Sequence, residues 1–549
     1  MDIKHEIEKR KKWLFAAAAI LILAVGIFLR TYRFHDWLYF YPDQARDVKI
    51  VGDYLDGKIA LPLTGFRAAS THFELGAMYY YFQIASGKLF GVHPDTMAYP
   101  DLFFNVLAIG LLFFFLKRYF RSDISLVLTA MYSVSFYAIE FSRFAWNPNP
   151  MPFFVLLYLM ALLEFLTKKE KTHWGWIAAI GVMVGIGIQL HTILIFLFLG
   201  MSFFAMIFLL WKNWRLWNRW LAIVGIVLIL NANQLISEIS KHRNSFANTK
   251  KLVNLSFGTS ETEGEEGLSS SLVKDIVCHA QANAHMISSL GDKISCDYIY
   301  TEEPEEGQIQ KIFGYYINPT QSNWIIFGLI FSLLGYGLLI YSYFTESDPK
   351  KKTFLGIICL YALLMFAIMI PIIGGAPLRY YLPVFFMPYV FVGLMLEFFR
   401  KKISWLFPPL MIASLVLVIW FNFGTIDSEA DLYASNNHSR PQYVVLGELE
   451  RMREYILSQT NSARTVYLVA DGKYMQNYFY PLQYVLGEKN VFLGRKQKNL
   501  DDIPSDAAKI SLDEYKYGRK NVKGFSVIQY RRFGEICVYI LGSRNISQP

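Results

Sequence analysis

Charge is scarce in this sequence, and CxxC cysteine motifs and glycine-rich phosphate loops do not occur. Charged residues make up 18% of the 549 positions, below the roughly one quarter usual for soluble domains. Hydrophobic residues reach 54% and aromatics 17%. That balance excludes a disordered chain and an ordinary soluble enzyme. The cysteines Cys278, Cys296, Cys359 and Cys537 form no CxxC pair, which excludes zinc-ribbon and thioredoxin-like readings. There is neither a P-loop nor a GxGxxG turn, so nothing marks a nucleotide site. No repeat of fixed period is found.

What the sequence does have is long apolar runs. A hydrocarbon core about 30 Å thick needs roughly 20 apolar residues to span it as a helix. After a basic start, KHEIEKRKK, such a run extends from Trp13 to Leu29. It has no clear small-residue cleavage site and reads as a retained first helix. Further runs fall near 101–116, 124–139, 150–166, 175–190, 192–211, 220–236, 323–344, 353–372, 382–399 and 403–422. The expected fold is therefore mainly α: a polytopic membrane helical bundle of about eleven spans.

The net charge of +9 is concentrated in short clusters between these runs. That distribution sets membrane orientation and is not a nucleic-acid-binding face. With the N-terminus in the cytoplasm, the inner loops hold Lys117, Arg118 and Arg121, then Lys168, Lys169 and Lys171, then Lys212, Arg215 and Arg219, then Lys350, Lys351 and Lys352, and finally Arg400, Lys401 and Lys402. The short outer loops hold only Arg143 and Arg379. The alternation supports an odd number of spans in a multi-pass protein of the cytoplasmic membrane, with its C-terminus outside.

Three large outer segments follow from this topology. The first, about 30–100, contains the amphipathic stretches RDVKIVGDYLDGKIA and ELGAMYYYFQIASGKLFG, suited to the membrane surface. The second, about 237–322, is polar and carries ETEGEEG. Cys278 and Cys296 share it, either as a disulfide or as two unrelated thiols. Cys359 lies in an apolar span and reads as inert. The third segment is the tail. Strand-like runs (TVYLVA, GFSVIQY, EICVYILG) alternate there with helix-like ones (VVLGELERMREYIL, YMQNYFYPLQYVLG), the pattern of a small soluble α/β domain. The expected division is a membrane module over 1–426 and an extracytoplasmic domain over 427–549.

Polar side chains gather at the outer ends of the spans. YPDQARD places Asp43 and Asp47 four apart around Arg46, on one face if helical. Asp43 follows a proline, so a capping role stands beside a chemical one. Then come His72 and Glu74 in STHFELG, Arg143, Asn147 and Asn149 in SRFAWNPNP, His191 in QLHT, and Arg379, Tyr380 and Tyr381 in PLRYYLP. Ionisable groups at this depth are costly unless paired or facing water, so a shared polar cavity is expected. Interfacial anchoring is the alternative for the tyrosines and Trp146, and a paired structural histidine is the alternative for His191.

In this order the motifs resemble those of the membrane-embedded GT-C glycosyltransferases, in the branch holding protein O-mannosyltransferases and aminoarabinose transferases (glycosyltransferase family 39-like). Asp43 matches that branch's first-loop Asp and Arg46 its basic position, while Gln44 replaces the common Glu. HFELGAMYYYF resembles the next segment without its prolines. Asn147 or Asn149 stands near an Asp of relatives, and RYYLP resembles their Arg-Tyr-Leu-Pro-like run. The resemblance covers roughly residues 10–400. It implies transfer of a sugar from a polyprenyl-phosphate donor to an acceptor (protein, lipid or polysaccharide) on the outer face.

For that chemistry the candidate catalytic residues are Asp43, as general base, and Asp47. Arg46, Arg143, Arg379, His191, Tyr380 and Asn147 are the candidates for donor phosphate and sugar. Attack assisted by a single base inverts the anomeric centre. No particular cofactor is marked by the sequence. A divalent cation is a candidate, with His72, Glu74 and Asp43 as ligands. The partners expected are the lipid-linked donor, the acceptor and membrane lipids, and no nucleic acid. The rival reading is a polytopic transporter or lipid-glycan flippase.

Overall fold

A computed structural model describes residues 3–67, 74–241, 268–289, 299–300, 310–312, 315–317, 319–370, 378–434, 444–460, 463–470, 472–495, 503, 507–514 and 520–544. Helix α1 (Ile3–Thr31) leads into the first outer segment. There α2 (Pro42–Leu55), an antiparallel pair of β1 (Thr64–Arg67) and β2 (Glu74–Gly76), and α3 (Met78–Phe90) follow. The bundle continues through α4 (Pro94–Leu116), α5 (Ser122–Ser133), α6 (Phe136–Glu140), α7 (Met151–Lys168), α8 (Trp174–Leu190), α9 (Thr192–Lys212), α10 (Trp217–Leu230) and α11 (Ala232–Lys241). After α12 (Leu268–Ser288) come three short strands, β3 (Ile299–Tyr300), β4 (Gln310–Ile312) and β5 (Tyr315–Ile317). Then α13 (Pro319–Thr345), α14 (Pro349–Met369), a 3-10 turn over Leu378–Val384, α15 (Met387–Lys402) and α16 (Phe407–Ala434) close the bundle.

Among the described residues, seven helices are long and apolar enough to cross a membrane on their own: α1, α4, α7, α9, α13, α14 and α16. The other expected spans are the shorter α5, α8, α10 and α15. The chain is thus a multi-pass membrane protein. Helix α7 is its centre, with 72% of its apolar window buried, against 6% for α1 and 11% for α16 at the periphery. Lipid is as apolar as leucine, so close packing and polar contacts hold such helices together. In α8, Gly181 and Gly185 show how. A Cβ on them would lie 2.9 Å from Ile226 and 2.8 Å from Leu230 of α10, so only hydrogen lets the two helices approach that closely.

Two expectations change. The run at 124–139 is not one helix. It breaks after Ser133, whose carbonyl accepts from the buried Arg30 at 2.8 Å, and Ser135 caps the new helix α6 through Ala138 N. The second outer segment is also not wholly a surface loop. Its α12 packs into the bundle, with Cys278 to Ser289 buried. Small residues allow this: Ala280, Ala282 and Ala284 are buried, and a Cβ on Gly328 of α13 would lie 2.7 Å from the Ala280 carbonyl. Cys278 is disulfide-bonded, Cys359 and Cys537 are free, and Cys296 lies outside the described residues.

The tail holds α17 (Leu446–Gln459), β6 (Thr465–Leu468), α18 (Gly472–Gly487), β7 (Phe492–Arg495), β8 (Ala508–Glu514), β9 (Asn521–Val522), β10 (Phe525–Phe533) and β11 (Ile536–Arg544). Its single sheet has the order β7-β6-β8-β11-β10-β9. β6 is parallel to β7 and β8, and the remaining pairs are antiparallel. Helix α16 runs past 427 to Ala434. The tail shares an apolar core with the first outer segment, where Leu38, Phe40, Val48 and Tyr80 meet Leu449, Tyr478 and Leu482. Backbone bonds from Phe40 N to the Val444 carbonyl and from Leu446 N to the Leu38 carbonyl, each 2.9 Å, fix the junction.

His35 adds a charged tie to this junction, 2.7 Å from Asp95 and 2.9 Å from Glu450 of α17. Hydrogen bonds to the two carboxylates push its pKa up to about 10 from the ordinary 6.5. A raised histidine stabilises while it is charged. Its contribution is fully present below pH 6.5 and is lost as pH rises through about 10. His35→Gln is expected to flatten the alkaline slope of the thermal midpoint, and an unchanged slope would remove His35 as its source.

Candidate active site

The first outer segment supplies an acid–base group at the start of α2. Pro42 opens the helix with its fixed φ and no orphan N–H, and Tyr41 occupies the cap position. Asp43 therefore sits in the first turn, where the helix dipole favours a carboxylate. It is more than half exposed, and its Oδ1 takes Nη1 of Arg46 at 2.9 Å. Arg46 also binds Asp47, through Nε at 2.8 Å and Nη2 at 2.8 Å, and its guanidinium lies 5.5 Å from the Phe66 ring. One arginine thus bridges an exposed carboxylate and a buried one.

Asp47 faces inward and accepts from Tyr80 Oη at 3.2 Å. Burial pushes its pKa up to about 6, against the opposing pull of Arg46. Because folding raises this pKa from 3.8, the Asp47 contribution to stability is present below that value and is lost as pH rises through about 6. Its charge, which anchors Arg46, follows the opposite course and disappears as pH falls through about 6. Turnover is expected to drop on the acid side with a midpoint there. Asp47→Asn should erase that inflection, and a wild-type pH profile in the variant would break the link.

Gln44 joins this group to the second outer loop. Its Oε1 accepts from Tyr41 N at 3.0 Å, closing the helix start, and its Nε2 donates to the Ala145 carbonyl at 2.7 Å. A glutamate at 44 has no N–H to give that carbonyl, which accounts for glutamine here. The residue after Ala145, Trp146, carries the Arg379 guanidinium 4.8 Å over its ring, and Tyr380 carries it at 5.3 Å. Among the described residues Arg379 makes no ion pair. The Tyr380 ring is in turn 5.3 Å from that of His191. His191 caps α9 by accepting from Ile193 N at Nδ1, 3.2 Å away, so its Nε2 carries the remaining proton. Burial and the nearby Arg379 lower its pKa, which keeps the ring neutral. Asn147 donates to the Leu190 carbonyl and fastens the α8–α9 turn beside His191.

Other candidate residues also make structural contacts. Arg143 is a candidate for the donor phosphate and sugar. It closes the end of α1, donating to the carbonyls of Leu29 at 3.1 Å, Tyr32 at 2.7 Å and Arg33 at 3.0 Å. Phe34 and Trp37 flank its guanidinium at 5.7 and 5.4 Å. Glu74 accepts from Thr64 Oγ1 at 2.7 Å within the β1–β2 pair, and its proposed co-ligand His72 lies outside the described residues. Among the described residues no three His, Cys, Asp or Glu side chains converge as a metal site. The sequence reading missed the bridging role of Gln44. It also missed the buried pair of Asp101 and Asn105, where Tyr79 Oη donates to Asp101 at 2.8 Å and Asn105 to the Asn149 carbonyl at 2.9 Å. Polar residues four apart at the start of an apolar span were the available signal.

Asp43, Trp146, His191 and Arg379 lie at one end of the bundle, and the lysine- and arginine-rich loops lie at the other. An exposed carboxylate beside one arginine, and a second arginine held between aromatic faces, can accept a proton and receive an anion together. Residues 76–236 match the family described as dolichyl-phosphate-mannose-protein mannosyltransferase. Among solved structures, ArnT from Cupriavidus metallidurans bound to undecaprenyl phosphate aligns with TM-score 0.54 and 11% identity over 96% of this chain and 97% of that one. The same protein in the apo state gives 0.53 and 12% over 97% and 98%. The Archaeoglobus fulgidus oligosaccharyltransferase in the apo form gives 0.50 and 10% over 92% and 70%. No curated protein sequence matches. At these identities the likeness establishes the fold, which is that of the GT-C membrane glycosyltransferases.

Proposed function

We propose that this chain is an integral membrane glycosyltransferase that moves a sugar from a polyprenyl-phosphate donor to an acceptor hydroxyl on the extracytoplasmic face, with inversion. The matched family and the ArnT and oligosaccharyltransferase structures support the class of enzyme and donor. The excess of basic residues in alternate loops supports the orientation. The observation that carries the reading is the single link from Asp43 through Gln44 and Ala145 to Trp146 and Arg379. It connects helix α2, which carries Asp43, to the second outer loop, where Arg379 of the Leu378–Val384 turn lies over Trp146, and so supports a proton acceptor and an anion-binding cation in one site.

In the proposed step the acceptor oxygen attacks the anomeric carbon and its proton passes to Asp43. The bond from that carbon to the phosphate oxygen breaks, and the electron pair leaves with polyprenyl phosphate. Arg379 meets the growing phosphate charge, since its planar fork binds two oxygens at once. His191 Nε2–H adds a neutral donor. Arg46 holds Asp43 from one side while Asp47 anchors Arg46, and Asn147 keeps the His191 turn in place. Tyr380 meets His191 edge to face, carries Arg379 over its own ring, and orients both. The purified protein should consume a polyprenyl-phosphate sugar, release polyprenyl phosphate and leave nucleotide sugars intact. Consumption of a nucleotide sugar instead would refute the donor class.

A further inference from the structure

A cavity lies at the opposite end of the bundle from the candidate active site. It is a groove of about 550 Å³ between α7, α9 and α14, within the range of roughly 300–1,000 Å³ typical of small-molecule sites. Its walls include Leu162, Met201 and Leu360. Phe204 and Phe208 of α9 also line it, and both are nearly half exposed on the outside of the bundle, so the groove opens sideways towards lipid. Its rim carries Lys169, Lys350 and Lys352, with Thr353 beside them.

Among the described residues those three lysines make no ion pair. The nearby carboxylates are all engaged by other donors. Glu164 takes Arg118 at 2.5 Å and Lys168 at 2.7 Å. Glu170 accepts from Asn213. Asp348 accepts from the backbone N–H of Lys350 at 2.8 Å and caps α14. Glu346 accepts from Ser347 N and Asp348 N at 3.1 Å. The Lys352 ammonium lies over the Tyr343 ring, 5.4 Å away. Lys169 sits at φ +50°, a left-handed conformation uncommon for residues other than glycine. Such strain gathers where a side chain must be aimed.

We infer that this groove binds an anionic diacyl phospholipid of the leaflet facing the basic loops, with an acyl chain along the apolar walls and the phosphate among Lys169, Lys350 and Lys352. Apolar walls under a basic rim, between helices at the basic end of a membrane protein, are the chemistry that selects anionic headgroups. The donor of the proposed reaction must present its phosphate at the other end of the bundle, so this groove does not serve it.

The test uses the full-length protein in detergent, titrated with phosphatidylglycerol or phosphatidylcholine and followed by thermal midpoint and native mass spectrometry. Phosphatidylglycerol should bind saturably and raise the midpoint, and phosphatidylcholine should not. The triple variant Lys169→Gln, Lys350→Gln, Lys352→Gln should weaken phosphatidylglycerol binding roughly 100-fold, about fivefold for each lysine. Thr353→Trp should block the groove while keeping the lysines. Equal binding of both lipids, undiminished affinity in the triple variant, or polyprenyl phosphate as the lipid retained at this groove would overturn the assignment.

Discussion

Asp43→Asn is expected to lower sugar transfer by about 100- to 10,000-fold, the usual worth of a general base, with the fold intact. The substitution is nearly isosteric and leaves an oxygen for Arg46. Asp43 is mostly exposed, and pairs of that kind contribute about 1 kcal/mol or less to stability. Arg46 also keeps its contacts to the buried Asp47. Donor affinity should change little, so single-turnover rates at saturating donor are the measurement to make. A loss of less than tenfold there would move the base to another residue.

Arg379→Ala is expected to cost about 100- to 1,000-fold in kcat/KM, the scale found when one donor to a developing anion is removed. The guanidinium lies 4.8 Å from the Trp146 ring and 5.3 Å from the Tyr380 ring, and among the described residues it makes no ion pair. Arg379→Lys should recover only part of the loss, because an ammonium neither stacks between two rings nor grips two oxygens. Comparing donors with better and poorer leaving phosphates separates the roles. A defect that shrinks with the better leaving group marks charge stabilisation, and a uniform defect marks binding alone.

Much of the architecture was legible because membrane helices declare themselves through length and apolarity. Each expected span contains a helix, with the run at 124–139 broken in two, and the amphipathic stretches after Arg46 and Glu74 became α2 and α3. The tail's strand-like and helix-like runs also took those forms. Other features depend on contacts that sequence does not display. Helix α12 contains Lys274, Asp275, His279 and Asn283 and reads as polar, yet its alanines let it sink against Gly328. The break after Ser133 is set by Arg30, more than a hundred positions earlier. The carbonyls at the end of α1 that Arg143 binds become visible only once the chain is folded. Gln44 looked like a defect in an acidic motif until its amide was found on Ala145.

The most direct measurement is release of radiolabelled sugar from a polyprenyl-phosphate donor by the purified protein, wild type against Asp43→Asn. The expected result is label moving to acceptor or water, with stoichiometric polyprenyl phosphate, in the wild type and near-background release in the variant. Equal release by both proteins would contradict Asp43 as the base. No release by a wild type that is folded and binds the donor would contradict the transferase reading itself.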